Sequence, residues 1–176
     1  VLAVALVGAA IALSVDRIVT PRRAERAAAA PPGEAKAHIT ATLFYGSSDG
    51  QGLVPVKTEV PLAEPQGAQI LTAQFGAPPK PYVQVIPKGT TLRAFFVTDQ
   101  GDAFVDVSRQ LTDQHPGGSL MELLTVQAIV HAVTANLPTV KRVQILVDGS
   151  EVDTIAGHVD VRRPLVADAS LVRDGR

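Results

Sequence analysis

The sequence has no cysteine and no tryptophan, and aromatic residues make up only 4% of it. Without a thiol these residues can form no disulfide, no thiolate nucleophile, no cysteine-ligated zinc site and no thioether to a lipid. So few rings leave little surface on which bases or sugars could stack. Neither sign of charge dominates: 16 Lys and Arg stand against 17 Asp and Glu, a formal net charge of −1. Nucleic acids and acidic substrates are drawn to a basic surface, so this balance argues against both. What the 176 residues do contain is 46% hydrophobic side chains, with 14 Gly and 13 Pro. That content suits a folded domain of ordinary size, rich in turns, and not a disordered chain.

The longest apolar run stands first. Val1 to Val15 (VLAVALVGAAIALSV) carries no charge. As a helix it would reach about 22 Å at ~1.5 Å per residue, short of the ~30 Å hydrocarbon core. Residues 1–16 are therefore expected to be an N-terminal apolar helix, a transmembrane or signal segment stopped by Asp16 and Arg17. The flank Arg17, Arg22, Arg23 and Arg26 is one the positive-inside rule would place in the cytoplasm. Residues 17–37 mix Ala, Pro and charge with no apolar period and read as a disordered linker. The folded domain should run over 38–166, with nine basic and twelve acidic side chains. Residues 167–176 read as a flexible tail.

Within the domain, apolar and polar residues alternate over Ile39–Tyr45 and again over Leu53–Val60, two strands, with Pro55 marking the second as an edge. Gln66–Phe75 has Ile70, Leu71 and Phe75 at helical spacing. The proline-rich stretch 76–89 must be loop. Thr91–Thr98 and Ala103–Val107 read as a hairpin around Asp99–Asp102, and Arg142–Val147 and Glu151–Ile155 as a second around Asp148-Gly149. Between the hairpins lies a helix, Leu120–Leu137, whose Leu123, Val126, Val130 and Val133 form one apolar face. Ser119 and Glu122 have the spacing of a capping box, so Ser119→Ala should cost about 1 kcal/mol.

Several residues invite a chemical reading. His115-Pro116-Gly117-Gly118-Ser119 is a glycine-rich lead into a helix, a place for an anion, but it has no lysine and follows no βαβ pattern; a flexible lead-in to a capped helix explains it more simply. His115, His131 and His158 with Glu122 and Asp160 lack metal-ligand spacing. His131, off the apolar face, should be solvated, and His158 should bond loop backbone. A hydrolase could be assembled from Ser119 with His115, His158 and Asp160, but no Gly-x-Ser-x-Gly elbow is present and an N-cap hydroxyl is already committed. Asp106 shares a strand face with Phe104 and Ser108 and should bond the backbone of the next loop, a local tie and not catalysis. Arg162-Arg163 reads as a solvated basic step.

Four stretches in order are unusually specific: Val105-Asp106-Val107-Ser108; His115 to Ser119 with Glu122 and Leu124; Val140 to Gly149 (VKRVQILVDG); and Thr154 to Asp160 (TIAGHVD). Together they resemble the GerMN domain family, the module named for sporulation and germination proteins. A looser likeness extends upstream through Ala41–Tyr45, Gly52–Pro55 and Ile86–Thr90. The resemblance implies an extracytoplasmic α+β module, similar to the ring-building domains of secretion systems, that packs against other proteins, with no enzymatic activity and no cofactor. It also marks Asp106, Ser108, His115, Gly117, Gly118, Ser119, Glu122, Asp148, Gly149, Gly157, His158 and Asp160 as structural motif positions. None of them would be catalytic, cofactor-binding or metal-ligating. Three departures stand out: a short first helix, no lipoprotein cysteine, and a single copy of the domain where some relatives carry two.

The expectation is an α+β domain with a small, mainly antiparallel sheet and two helices on one face. Its role would be an envelope interaction or assembly module tethered through residues 1–16, its partners other envelope proteins or further copies of itself, not nucleic acid. The alternatives are the Ser119 hydrolase and a module that binds a cell-wall ligand, the latter disfavoured by the scarcity of aromatic rings.

Overall fold

The computed structural model describes residues 37–174. The apolar segment 1–16 and nearly all of the linker lie outside them. Strand β1 (His38–Gly46) turns back as β2 (Leu53–Pro61), paired from His38 opposite Pro61 to Gly46 opposite Leu53. Helix α1 (Gln66–Gln74) follows, then the long loop to β3 (Leu92–Val97) and β4 (Asp102–Val107). A single turn α2 (Gln110–Asp113) and the central helix α3 (Ser119–Asn136) lead to β5 (Arg142–Val147) and the two-residue β6 (Ser150–Glu151).

The strands form two sheets, not the single sheet expected. One is the β1–β2 hairpin and the other runs β3-β4-β5-β6. Pairing is antiparallel throughout except between β4 and β5, which run parallel with Asp102 opposite Arg142 and Val107 opposite Val147. Parallel neighbours need a crossover, and α3 supplies it. The His115–Ser119 loop therefore does sit inside a βαβ unit, contrary to the expectation from sequence. At the far end the chain reverses through Asp148 (φ 51°) and Gly149 (φ 78°), the paired positive angles a tight two-residue hairpin requires.

Helix α3 holds the molecule together because it is buried on more than one side. It packs against β1, β5 and α1, and every residue from Leu124 to Val133 is buried. A helix that is apolar nearly all round belongs in an interior, and each large aliphatic side chain buried here contributes ~1.5–3 kcal/mol. This overturns the expectation of one apolar face and a solvated His131. His131 is 7% exposed, its Nε2 lies 3.1 Å from the carbonyl of Asp168, and its ring sits 4.9 Å from that of Phe44.

Three further expectations fail for identifiable reasons. The N-cap of α3 is Gly118 (φ 88°) with no side-chain cap, and Ser119 is already the first helical residue, so no capping box forms. Its hydroxyl makes no hydrogen bond among the described residues, and Ser119→Ala should now shift stability by less than ~0.5 kcal/mol, checked by urea unfolding. The return strand of the second hairpin stops at Glu151, and the amide of Ile155, expected at its end, is instead taken with that of Ala156 by Glu122. The described part of the tail, residues 167–174, does not trail free. Asp168 N–H donates to Gln127 Oε1 (2.9 Å), residues 169–171 make a 3-10 turn, and Arg173 N–H donates to the carbonyl of Leu53 (2.8 Å).

Among the described residues no helix is long and apolar enough to cross a membrane.

Candidate functional site

Two clusters gather most of the motif residues. The first centres on Glu122, placed by the first turn of α3 and completely buried. Its Oε1 accepts the backbone N–H of Ile155 and of Ala156, both at 2.8 Å, and its Oε2 accepts that of His158, also at 2.8 Å. The imidazole Nδ1 of His158 lies 3.1 Å from the same Oε2. A carboxylate can only accept, so that nitrogen carries the proton. Gly157 makes the bend possible at φ 97°, and its N–H donates to Thr154 Oγ1 at 2.9 Å. Burial pushes the Glu122 carboxyl up, but the amides of Ala156, His158, Val159 and Ile155 together outweigh it and hold the group below its ordinary value.

His115 stands beside this cluster. Its Nδ1 accepts the N–H of Gly117 at 3.0 Å, which leaves the proton on Nε2, 3.1 Å from Thr125 Oγ1. Burial lowers the imidazole's pKa, against the pull of the Glu122 charge. Gly117 (φ 85°) and Gly118 (φ 88°) carry the chain from this imidazole into α3 in a conformation that side chains disfavour.

The second cluster joins β3, β4, α2 and the β5–β6 turn. Asp106, 8% exposed, accepts the N–H of Gly149 at 2.7 Å through Oδ1 and pairs with Arg93 Nε at 3.1 Å through Oδ2. Arg93 Nη1 reaches Asp148 Oδ1 at 3.0 Å, and Arg109 Nε reaches Asp148 Oδ2 at 3.2 Å. Ser108 Oγ accepts the N–H of Thr91 at 3.0 Å. Asp106 does tie a loop's backbone, but that loop is the β5–β6 turn, 43 residues along the chain, and not the next one as expected. Asp160 lies apart, in an exposed ion pair with Arg162 (2.6 Å) whose guanidinium holds its carboxyl far below the usual range. The basic step is thus solvated, as expected, with Arg162 paired.

Sequence reasoning missed a set of amides doing the same work. Gln74 Oε1 accepts the N–H of Phe44 (2.8 Å) while its Nε2 donates to the carbonyl of Phe44 (2.7 Å). Asn136 treats Thr42 identically, at 2.8 and 2.7 Å. Gln127 holds Val166 and Asp168, and Gln144 Nε2 holds the carbonyl of Val161 at 2.8 Å. Arg93 and Arg109 went unnoticed for a related reason: their partners Asp106 and Asp148 are distant in sequence.

Chemically this arrangement offers little to a substrate. Ser119 Oγ is bonded to neither His115 nor His158, whose Nδ1 atoms are engaged by Gly117 and Glu122, and Asp160 is bonded to Arg162. The hydrolase constellation is therefore not assembled. Among the described residues no group of three or more His, Asp and Glu could hold a metal ion. An open groove of 380 Å³ borders the second cluster at Arg109 and Asp148, and two others of 490 and 320 Å³ lie away from both clusters, lined by Ser47–Asp49 and Tyr82 and by Pro65–Gly67 and Phe95–Val97.

The model of the family described as "Germane: Sporulation and spore germination" matches residues 42–153, which include the second cluster and Glu122 itself but not the loop that Glu122 holds. The chain belongs to this Germane family. The fold is shared with solved structures. The tandem GerMN domains of the sporulation protein GerM from Bacillus subtilis superpose with a TM-score of 0.63 at 19% identity, over 74% of this chain and 46% of that one. The chain thus spans about half the length of that tandem protein. The first GerMN domain alone gives 0.54 at 20% identity, over 74% of this chain and 96% of that one. A Clostridium perfringens protein described as a lipoprotein gives 0.53 at 22%, over 78% and 93%. No curated protein matches the chain.

Proposed function

We propose that this Germane chain is an interaction and assembly module of the bacterial cell envelope, tethered through its apolar segment 1–16, and that it performs no catalysis. The observation that carries the reading is the state of Glu122. The most deeply buried carboxylate of the motif is saturated by its own protein, three amides and one imidazole, and has no free lone pair aimed at a reactant. Groups of this kind fix a loop's shape. The fold relatives, a sporulation protein with tandem domains and a protein described as a lipoprotein, support an envelope setting. The shortage of aromatic rings weighs against a glycan ligand.

The test is affinity recovery of the full chain after chemical crosslinking in intact envelopes. A defined protein partner should be recovered, and Ser119→Ala should recover it in equal yield. Recovery of no partner, or its loss on removing a single hydroxyl that bonds to nothing, would overturn the reading.

A further inference from the structure

Of the four histidines, His115 alone uses a ring nitrogen as an acceptor among the described residues. His158 Nδ1 faces a carboxylate and His131 Nε2 faces a carbonyl, so in both the bonded nitrogen donates. His38 makes no side-chain hydrogen bond among the described residues. A second proton on any of these three rings therefore breaks none of these bonds.

His115 differs on both sides of its ring. Its Nδ1 accepts the Gly117 N–H at 3.0 Å, and a backbone amide can only donate. Its Nε2 lies 3.1 Å from Thr125 Oγ1, whose own hydrogen is directed at the carbonyls of Val85 (2.5 Å) and Met121 (2.8 Å). That hydroxyl thus accepts from Nε2–H. The neutral ring suits this pair of partners and the charged ring does not, because a proton on Nδ1 would set N–H against N–H.

The Gly117 bond holds the lead into α3. Pro116 and Gly118 are exposed, and the turn passes through φ 85° at Gly117 and 88° at Gly118. A side chain built at either glycine would meet nothing within 4 Å, so no close packing pins this turn from outside. The Gly118 carbonyl accepts the N–H of Glu122 at 2.9 Å, at the start of the helix.

We propose that His115 is a pH-operated latch: a second proton on its ring breaks the Gly117 bond and frees the Pro116–Gly118 turn, while the Glu122 anchor stays in place. The latch goes beyond the interaction-module reading and needs no partner. It gives the domain one surface in neutral surroundings and another in mildly acidic ones. Burial is the largest influence on the ring and holds the imidazole below its ordinary 6.5. Three elements face it. Helix α3 brings the Glu122 charge, which favours the added proton, and the 154–160 loop brings His158, which opposes it. The loop through Val85 reaches it by way of Thr125. Glu122 itself is held below 4.5, so the turn is expected to open between these two values, with the carboxylate still charged.

Nitrogen NMR of the full chain in detergent micelles, from about pH 8 down to 4.5, tests the latch. At the alkaline end His115 should carry its proton on Nε2 and none on Nδ1. Its midpoint should lie below 6.5. The Gly117 amide should shift with that same midpoint, and its protection against exchange, corrected for the intrinsic rate, should fall about tenfold or more. The Ile155 and His158 amides should keep their protection. His115→Asn places an oxygen that cannot titrate near the position of Nδ1, and Gly117 should then stay protected throughout. A proton on Nδ1 at the alkaline end, Gly117 protection unchanged across the midpoint, no His115 titration above pH 4.5, or opening that persists in folded His115→Asn would each overturn the proposal. If the variant does not fold, the wild-type titration decides alone.

Discussion

Glu122→Ala should lower the stability of the domain by about 4 kcal/mol, a fall in melting temperature of roughly 12 °C for a domain this size. The substitution leaves the amides of Ile155, Ala156 and His158 without an acceptor in a site from which water is excluded. Each orphaned donor costs ~1–3 kcal/mol, and the emptied volume adds to that. Glu122→Gln should cost about half as much, because its one carbonyl oxygen can still serve Ile155 and Ala156 while its NH₂ is set against the His158 N–H. Thermal and urea unfolding followed by circular dichroism measure both; a loss below ~1 kcal/mol for the alanine variant would remove Glu122 from the centre of the account.

The same carboxylate makes stability depend on pH, with a fixed sign. Its native value is held below the ordinary 4.5, so the folded state releases the proton more readily than the unfolded chain. The contribution is complete above that ordinary value and disappears as pH falls through the lowered native value. Unfolding curves taken downward from pH 6 should show a loss in the wild type that is smaller in Glu122→Gln.

Gln74→Ala ranks next, at about 3 kcal/mol. It removes both hydrogen bonds that close the β1 edge at Phe44 and orphans two buried main-chain groups. Gln74→Leu keeps the volume and loses the same bonds, so it should recover less than ~1 kcal/mol of that loss. Full recovery by leucine would mean that packing, not polar closure, is what matters there. Asn136 offers an independent repeat at Thr42.

Much of this was legible in the sequence, and the failures share a cause. The alternation in Ile39–Tyr45, the Asp148-Gly149 turn and the Pro138 stop after α3 are local signals, and each element formed where its signal lay. Ser119 and Glu122 also have a local signal, the capping spacing, but tertiary structure overrode it: the Glu122 side chain is worth more to three amides 33 to 36 residues away than to the start of its own helix. His131 was misplaced because periodicity assumes one wet face, whereas α3 is packed by β1, β5 and α1 at once. Splitting the strands into two sheets, and pairing β4 with β5 in parallel, depends on how α3 crosses over, which no short-range pattern encodes. Asp106 shows the same limit: a backbone tie was expected of it, but to the next loop, whereas parallel pairing of β4 with β5 brings the Gly149 amide, 43 residues away, to its carboxylate.

The central claim is that the motif's buried carboxylate is a structural anion and not a proton carrier. Titration of Glu122 Cδ by carbon NMR in the folded chain tests it most directly. A midpoint below that of an ordinary glutamate, with the amide resonances of Ile155, Ala156 and His158 shifting together at the same acidic pH, is the expected result. A midpoint raised toward neutrality, the mark of a general acid, would contradict it.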